Sequence, residues 1–136
     1  MNARTVGRWI LGLAAVAFGV ATIISGSRVL FGDALVRAEA GQVVPFVLVF
    51  NVCAGFAYVV TGLLALTNRR WARPLAWGLA AATLLVFAGL GVHIATDGAY
   101  EVRTLKAMTV RSVFWIVQAA GLGYVFAQSS GRRADT

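Results

Sequence analysis

Acidic side chains are scarce in this chain: five Asp and Glu stand among 136 residues, with one histidine, one lysine and one cysteine. Each scarcity closes off some chemistry. The lone cysteine, Cys53, excludes an intramolecular disulfide, a CxxC redox pair and any multi-cysteine metal site. The lone histidine, His93, excludes a bis-histidine heme within one chain. Charged residues of all kinds amount to 12%, against about 25% in an ordinary soluble domain. So little polar surface cannot dress a water-soluble globule of this size, and the length limits the chain to a single domain.

What is abundant is apolar: 60% of the residues are hydrophobic. They gather into four runs, residues 9–27, 43–66, 75–95 and 109–127. Runs of about 20 residues suit helices crossing a hydrocarbon core about 30 Å thick. The ten-residue alternation of a membrane barrel strand is not visible. The expected fold is therefore all-α: one polytopic membrane domain, a four-transmembrane-helix bundle. Arg4 and Arg8 precede the first run, and Ala15-Val16-Ala17 resembles a leader cleavage site. The apolar stretch continues well past Ala17, however, so it reads as a retained helix. Residues 28–41 are too polar to span; they extend the first helix and then lie at the interface, with Val29, Leu30, Leu35 and Val36 facing lipid or protein. The short connection 68–74 makes the second and third helices antiparallel neighbours. Residues 128–136 form a short basic tail.

A net charge of +7 raises the question of nucleic acid. The basic residues are scattered in ones to threes between apolar runs, with no nucleic-acid motif, so no such partner is expected. Arginine outnumbers lysine eleven to one, which fits a GC-rich, bacterial-type genome. Arg4, Arg8, Arg69, Arg70, Arg73, Arg132 and Arg133 share one side of a four-span topology. Arg28, Arg37, Arg103, Lys106 and Arg111 fall on the other, with Asp33, Glu39, Asp97 and Glu101. The excess of cations predicts that both termini are cytoplasmic, in an inner (cytoplasmic) membrane, with Trp9, Trp71 and Trp77 at the inner boundary. Ala15/Gly19, Ala17/Ala21, Ala76/Ala80 and Ala119/Gly123 are small-xxx-small pairs that permit close helix approach.

Polar residues inside apolar spans are costly and need a partner or a water-filled cavity. Asn51, Gly55, Tyr58 and Gly62 form one helical stripe; Ala82, Val86, Gly89 and His93 form another. The segment 91–111 holds the only histidine, the only lysine and two of the five acids. Continued as a helix into the fourth span, it puts Tyr100, Thr104, Ala107, Arg111, Trp115 and Gln118 on one face. One outer-leaflet pocket lined by Asn51, Tyr58, His93, Arg111, Trp115 and Gln118 follows. Asp33, Glu39, Asp97 and Glu101 stand around its mouth, and Glu101 is the partner expected for an arginine. Plainer readings stand beside it. His93 at a span end can be satisfied by water or a carbonyl, and Asn51 by one interhelical hydrogen bond. Arg111 can snorkel to headgroups. Asp97 and Glu101 can belong to a solvated loop, and the aromatic residues can simply pack.

The function expected of such a pocket is binding. An amphipathic molecule, a quinone or lipid, would be packed by Tyr58 and Trp115 and hydrogen-bonded by Asn51 and Gln118, with His93, Glu101 and Arg111 setting the local charge. No catalytic residue can be assigned: no base adjoins a nucleophile, and no glycine loop cradles phosphate. His93, Glu101, Asp97 and Asp33 have no recognised metal spacing, so no metal is assigned. Proton exchange through His93 and Glu101 is chemically allowed, but no chain of ionisable groups continues through the inner half. Two alternatives remain: a subunit of a quinone-linked membrane oxidoreductase that needs a partner subunit, and a homo-oligomeric structural or transport component joined along the small-residue faces.

The order of features resembles the DoxX-like four-helix membrane proteins. The stretches that carry the likeness are Arg8-Trp9-Ile10-Leu11-Gly12-Leu13, Ile24-Ser25-Gly26-Ser27-Arg28 and AGFAYVVTGLLALTNRRWARPLAWGLAAATLLVF, covering about residues 8–95. Arg28 fills the place of a basic residue after the glycine near the end of the first helix. GAYEVRT has no counterpart in the family pattern. The resemblance implies a four-helix membrane fold and a membrane redox or quinone context, since some members are linked to quinone-dependent sulfur oxidation.

Overall fold

The structure, a computed structural model, describes residues 1–131. It consists of five helices: α1 (Ala3–Phe31), α2 (Ala34–Ala40), α3 (Pro45–Leu66), α4 (Ala72–Ala95) and α5 (Val102–Gly131). All but α2 are long and apolar enough to cross a membrane, which makes the chain multi-pass by the length and composition of its helices. The four pack in a ring, α1 on α3, α3 on α4, α4 on α5 and α5 back on α1. The up-down order leaves the N-terminus, the α3–α4 turn and the last turns of α5 at one end, called here the terminal end. At the distal end lie α2 and the α4–α5 loop.

α1 and α5 outrun their apolar runs at both ends. Hydropathy marks the part that meets lipid, but a helix continues until its end groups find other partners. Asn2 Oδ1 accepts from Thr5 N–H at 2.9 Å and starts α1 six residues ahead of the run beginning at Trp9. The interfacial segment is a separate short helix: Asp33 Oδ1 accepts from Leu35 and Val36 N–H, both at 3.1 Å, and α2 buries no residue. The tail is helical through Gly131; its remainder, with Arg132 and Arg133, lies outside the described residues.

The segment 91–111 is the end of α4, a loop and the first turns of α5, and the helical extension of the fourth span reaches back only to Val102. Gly98 N–H reaches the His93 carbonyl at 2.8 Å and Asp97 N–H the Ile94 carbonyl at 3.1 Å, with Asp97 at φ 62°. This is the two-bond left-handed stop of a helix C-terminus. Tyr100 therefore sits in the loop and not on the α5 face. Asn68, at φ 57°, ends α3 the same way, with Arg69 N–H bonding the Leu64 carbonyl at 2.7 Å.

Between α1 and α3 the contact is close from Gly12 to Gly26. Gly12, Ala15, Gly19, Thr22 and Gly26 are buried on α1 at alternating steps of three and four. That spacing keeps one seam facing a partner helix. A Cβ on Gly19 would lie 2.8 Å from the Gly55 carbonyl oxygen, and one on Gly62 2.7 Å from that of Gly12, so backbone packs on backbone. Lipid gives no hydrophobic drive between helices, so such close dispersion contact has to hold them. Ala76, Ala80 and Ala119 are buried in the same core, whereas Ala17 and Ala21 face outward. Large side chains such as Ile10, Phe56 and Leu85 are exposed, and Trp9, Trp71 and Trp77 are exposed toward the terminal end. Along the α1–α3 seam small residues face in and large apolar ones face out, the inverse of a soluble bundle.

Candidate functional site

α1 and α5 touch only toward the terminal end. Leu11 packs on Gly121, Gly7 approaches Val125, and Gln118 Nε2 donates to the Leu11 carbonyl at 3.1 Å. The last of these contacts is a layer of rings. Phe18 on α1 stacks on Phe114 of α5 with centroids 4.3 Å apart and lies 5.9 Å from Tyr58 of α3; Tyr58 in turn lies 4.6 Å from Trp115. Aromatic groups of this bulk, offset or tilted, fill a bundle interior without strain. Beyond that layer, toward the distal end, the helices part.

The gap is a cavity of about 310 Å³. From α1 it takes Ser25, Gly26 and Val29, and from α3 Val47, Leu48 and Asn51. The α2–α3 link adds Val43 and Val44, and the start of α5 supplies Arg103, Thr104, Ala107 and Arg111 behind Glu101 of the loop. On every helix these positions are distal to the ring layer. Thr104, Ala107 and Arg111 share a face because their spacing of three and four matches the helical turn.

Two charged residues clamp the distal end together. Glu101 Oε1 accepts from the Gln42 backbone N–H at 2.9 Å. Arg103 Nη2 donates to the Glu39 carbonyl at 2.8 Å and to that of Ala40 at 3.3 Å. Arg103 thus binds the last carbonyls of α2, where a cation complements the helix dipole. Gly41, at φ 75°, lies against the Glu101 carboxylate with no room for a side chain. Glu101, expected to meet an arginine, is committed to backbone instead.

Arg111 is different. Its guanidinium carbon sits 5.9 Å over the Phe18 ring, a cation–π arrangement. Its buried Nε has no hydrogen-bond partner among the described residues, and neither has the buried Oδ1 of Asn51. Both residues line the cavity. Below it, Tyr58 OH, Thr83 Oγ1, Trp115 Nε1 and Gln118 Oε1 are likewise buried without partners. Tyr58 has Thr83 and Trp115 as immediate neighbours.

The residues expected in one pocket therefore occupy three places. Asn51, Glu101 and Arg111 line the cavity. Tyr58, Trp115 and Gln118 lie beneath it in the closed interior. They share faces with Asn51 and Arg111 but are one to two turns deeper: Tyr58 and Trp115 belong to the ring layer itself, and Gln118 lies a turn below it. His93, in the last turn of α4, is turned to the loop: its Nε2 lies 2.9 Å from the Ala99 carbonyl, Gly98 packs on the ring, and Phe46 meets it edge-on at 6.2 Å. Of the acids expected at the mouth, Asp33 caps α2 and Asp97 forms the α4 stop. Among the described residues, no three His, Cys, Asp or Glu side chains converge on a point where a metal could sit.

Thr83 is a site neighbour that the sequence did not announce. Thr61, Thr67, Thr96 and Thr109 each donate to a carbonyl one turn back in their own helix, at 2.8–2.9 Å. Threonine is unremarked in apolar helices because that bond is always at hand. Comparison with protein-family models, with curated proteins and with solved structures found no match for this chain.

Proposed function

We propose that this protein is a small binding or accessory protein of the cytoplasmic membrane, both termini cytoplasmic, whose outer-leaflet cavity holds an amphipathic molecule. The observation that carries this reading is that Asn51 Oδ1 and Arg111 Nε, buried and unpartnered, belong to residues lining one cavity of about 310 Å³. Unpaired polar groups in apolar surroundings cost about 1–3 kcal/mol each, more when charged. A molecule with an apolar body and polar head removes that cost, and a few placed polar groups on apolar walls are what small-molecule sites use. A quinone and a lipid both fit that description; the DoxX-like resemblance adds weight to the quinone. The orientation rests on the seven cations of the terminal side against five on the distal side.

The test is mass spectrometry of molecules co-purified with wild type, Asn51→Leu and His93→Ala in mild detergent. Wild type and His93→Ala should carry the same amphiphile, because His93 is outside the cavity, while folded Asn51→Leu should carry less. Equal loading of all three would remove the cavity from consideration.

A further inference from the structure

We infer that the cavity takes an anionic lipid headgroup bearing a hydroxyl beside its charged group, with Arg111 binding the anion and Asn51 accepting from the hydroxyl. This rests on the proposed binding function and specifies its ligand. The charges facing the cavity are Arg103, Arg111 and Glu101; α1, α2 and α3 contribute none. Two cations against one carboxylate leave a formal excess of one positive charge. Arg103 is turned onto the Glu39 and Ala40 carbonyls, and Glu101 Oε1 onto Gln42 N–H. Arg111 is thus the cation lining the cavity that keeps a buried guanidinium nitrogen, its Nε, without a hydrogen-bond partner among the described residues, and its guanidinium lies over the Phe18 ring. A ring face attracts a cation without neutralising it, and a guanidinium at membrane depth calls for an anion. Its planar fork suits two oxygens of one phosphate or carboxylate.

Asn51 narrows the class. Its unpartnered atom is an acceptor, which a bare anion cannot satisfy and a hydroxyl can. The remaining wall is apolar, with Val29, Val43, Val47 and Leu48, and suits the start of a chain rather than more polar groups. At about 310 Å³ the cavity is at the low end for a whole ligand. It holds a headgroup while the acyl chains stay in the bilayer.

The full chain would be placed in neutral detergent with phosphatidylglycerol, phosphatidylcholine, ubiquinone or glycerol 3-phosphate, and bound molecules read by native mass spectrometry. Wild type should keep phosphatidylglycerol about tenfold over phosphatidylcholine, roughly the 1.4 kcal/mol of one charge-assisted contact. Arg111→Gln and Ala107→Phe, which removes the charge and fills the cavity respectively, should each abolish the preference. Arg111→Lys should keep part of it, and Asn51→Leu should lower it without abolishing it. Arg111→Lys and Ala107→Phe carry the test should Arg111→Gln fail to fold. Equal retention of ubiquinone or phosphatidylcholine, lost in Ala107→Phe, would overturn the anionic assignment and leave the binding function standing. Displacement by glycerol 3-phosphate would overturn the lipid and leave a free anion. A preference that survives Ala107→Phe, or a wild type that retains nothing, would overturn both.

Discussion

Tyr58 is a large polar residue, fully buried, whose hydroxyl adjoins Thr83 and Trp115 but makes no well-formed hydrogen bond among the described residues. Its ring is what the structure uses, stacked between Phe18 and Trp115. Tyr58→Phe should therefore leave the unfolding free energy unchanged or raise it by about 1–3 kcal/mol, because the substitution removes a buried polar group that has no partner. Tyr58→Ala should cost about 3–5 kcal/mol through the cavity it leaves. Thermal unfolding in detergent decides; a large loss for Tyr58→Phe would mean that its hydroxyl is bonded through Thr83 or water. Glycines divide just as sharply. Gly19→Val meets backbone of α3 and should cost about 1–3 kcal/mol or more. Gly78→Ala, with open space around it, should gain about 0.5–1 kcal/mol from helix propensity. Asn51 and Arg111, which line the cavity, were legible as residues in need of a partner because an amide or guanidinium inside an apolar run always demands an account. The work of Glu101 was not, because its partner, Gln42, is 59 residues away in sequence and is a backbone group. Thr83 was not legible either, since nothing in a sequence tells a threonine that bonds its own helix from one that does not.

At the scale of elements, spans were easier to read than their ends. Four apolar runs gave four helices, but α1 and α5 continue beyond the lipid-matched part, and the backward extension of α5 stops at Val102, which leaves Tyr100 in the loop. The stop at Asp97 depends on a left-handed residue that Asn or Asp tolerates, a preference too weak to place a boundary. Small-residue pairs show the same limit. Ala15/Gly19 faces α3 and Ala17/Ala21 faces outward, yet their spacing is identical, and only the position of the neighbouring helix separates them. The element with the least support is α2, which buries nothing and is held by Asp33 at its start and Arg103 at its end. Arg103→Ala should release it, for about 1 kcal/mol at an exposed site. Hydrogen exchange at residues 38–44 should then accelerate, while exchange in α3 stays slow. Unchanged exchange would show that the clamp adds nothing to the connection around it.

For the whole molecule, the four-helix architecture was readable because lipid imposes length and apolarity on every span. The order of helices around the ring, and the cavity left where two of them part, were not, since they depend on which faces meet. Orientation is a separate matter that charge decides. In a Cys53→Ser background on intact cells, a membrane-impermeant maleimide should label Ala99→Cys and spare Arg69→Cys; the reverse pattern would place the termini outside. The packing also has a history written into it. α1 with α3, and α4 with α5, are pairs of consecutive spans, and the first pair packs backbone on backbone at Gly12/Gly62 and Gly19/Gly55. As the chain is made, residues 1–66 can settle as a hairpin before the later spans have left the ribosome. The cavity draws walls from both hairpins, so it is the last thing to exist. Whatever occupies it binds only the finished molecule, and by mass action favours that state. An occupant would be a proof of assembly as much as a cargo, and its absence during synthesis should show as slow docking of two ready-made halves.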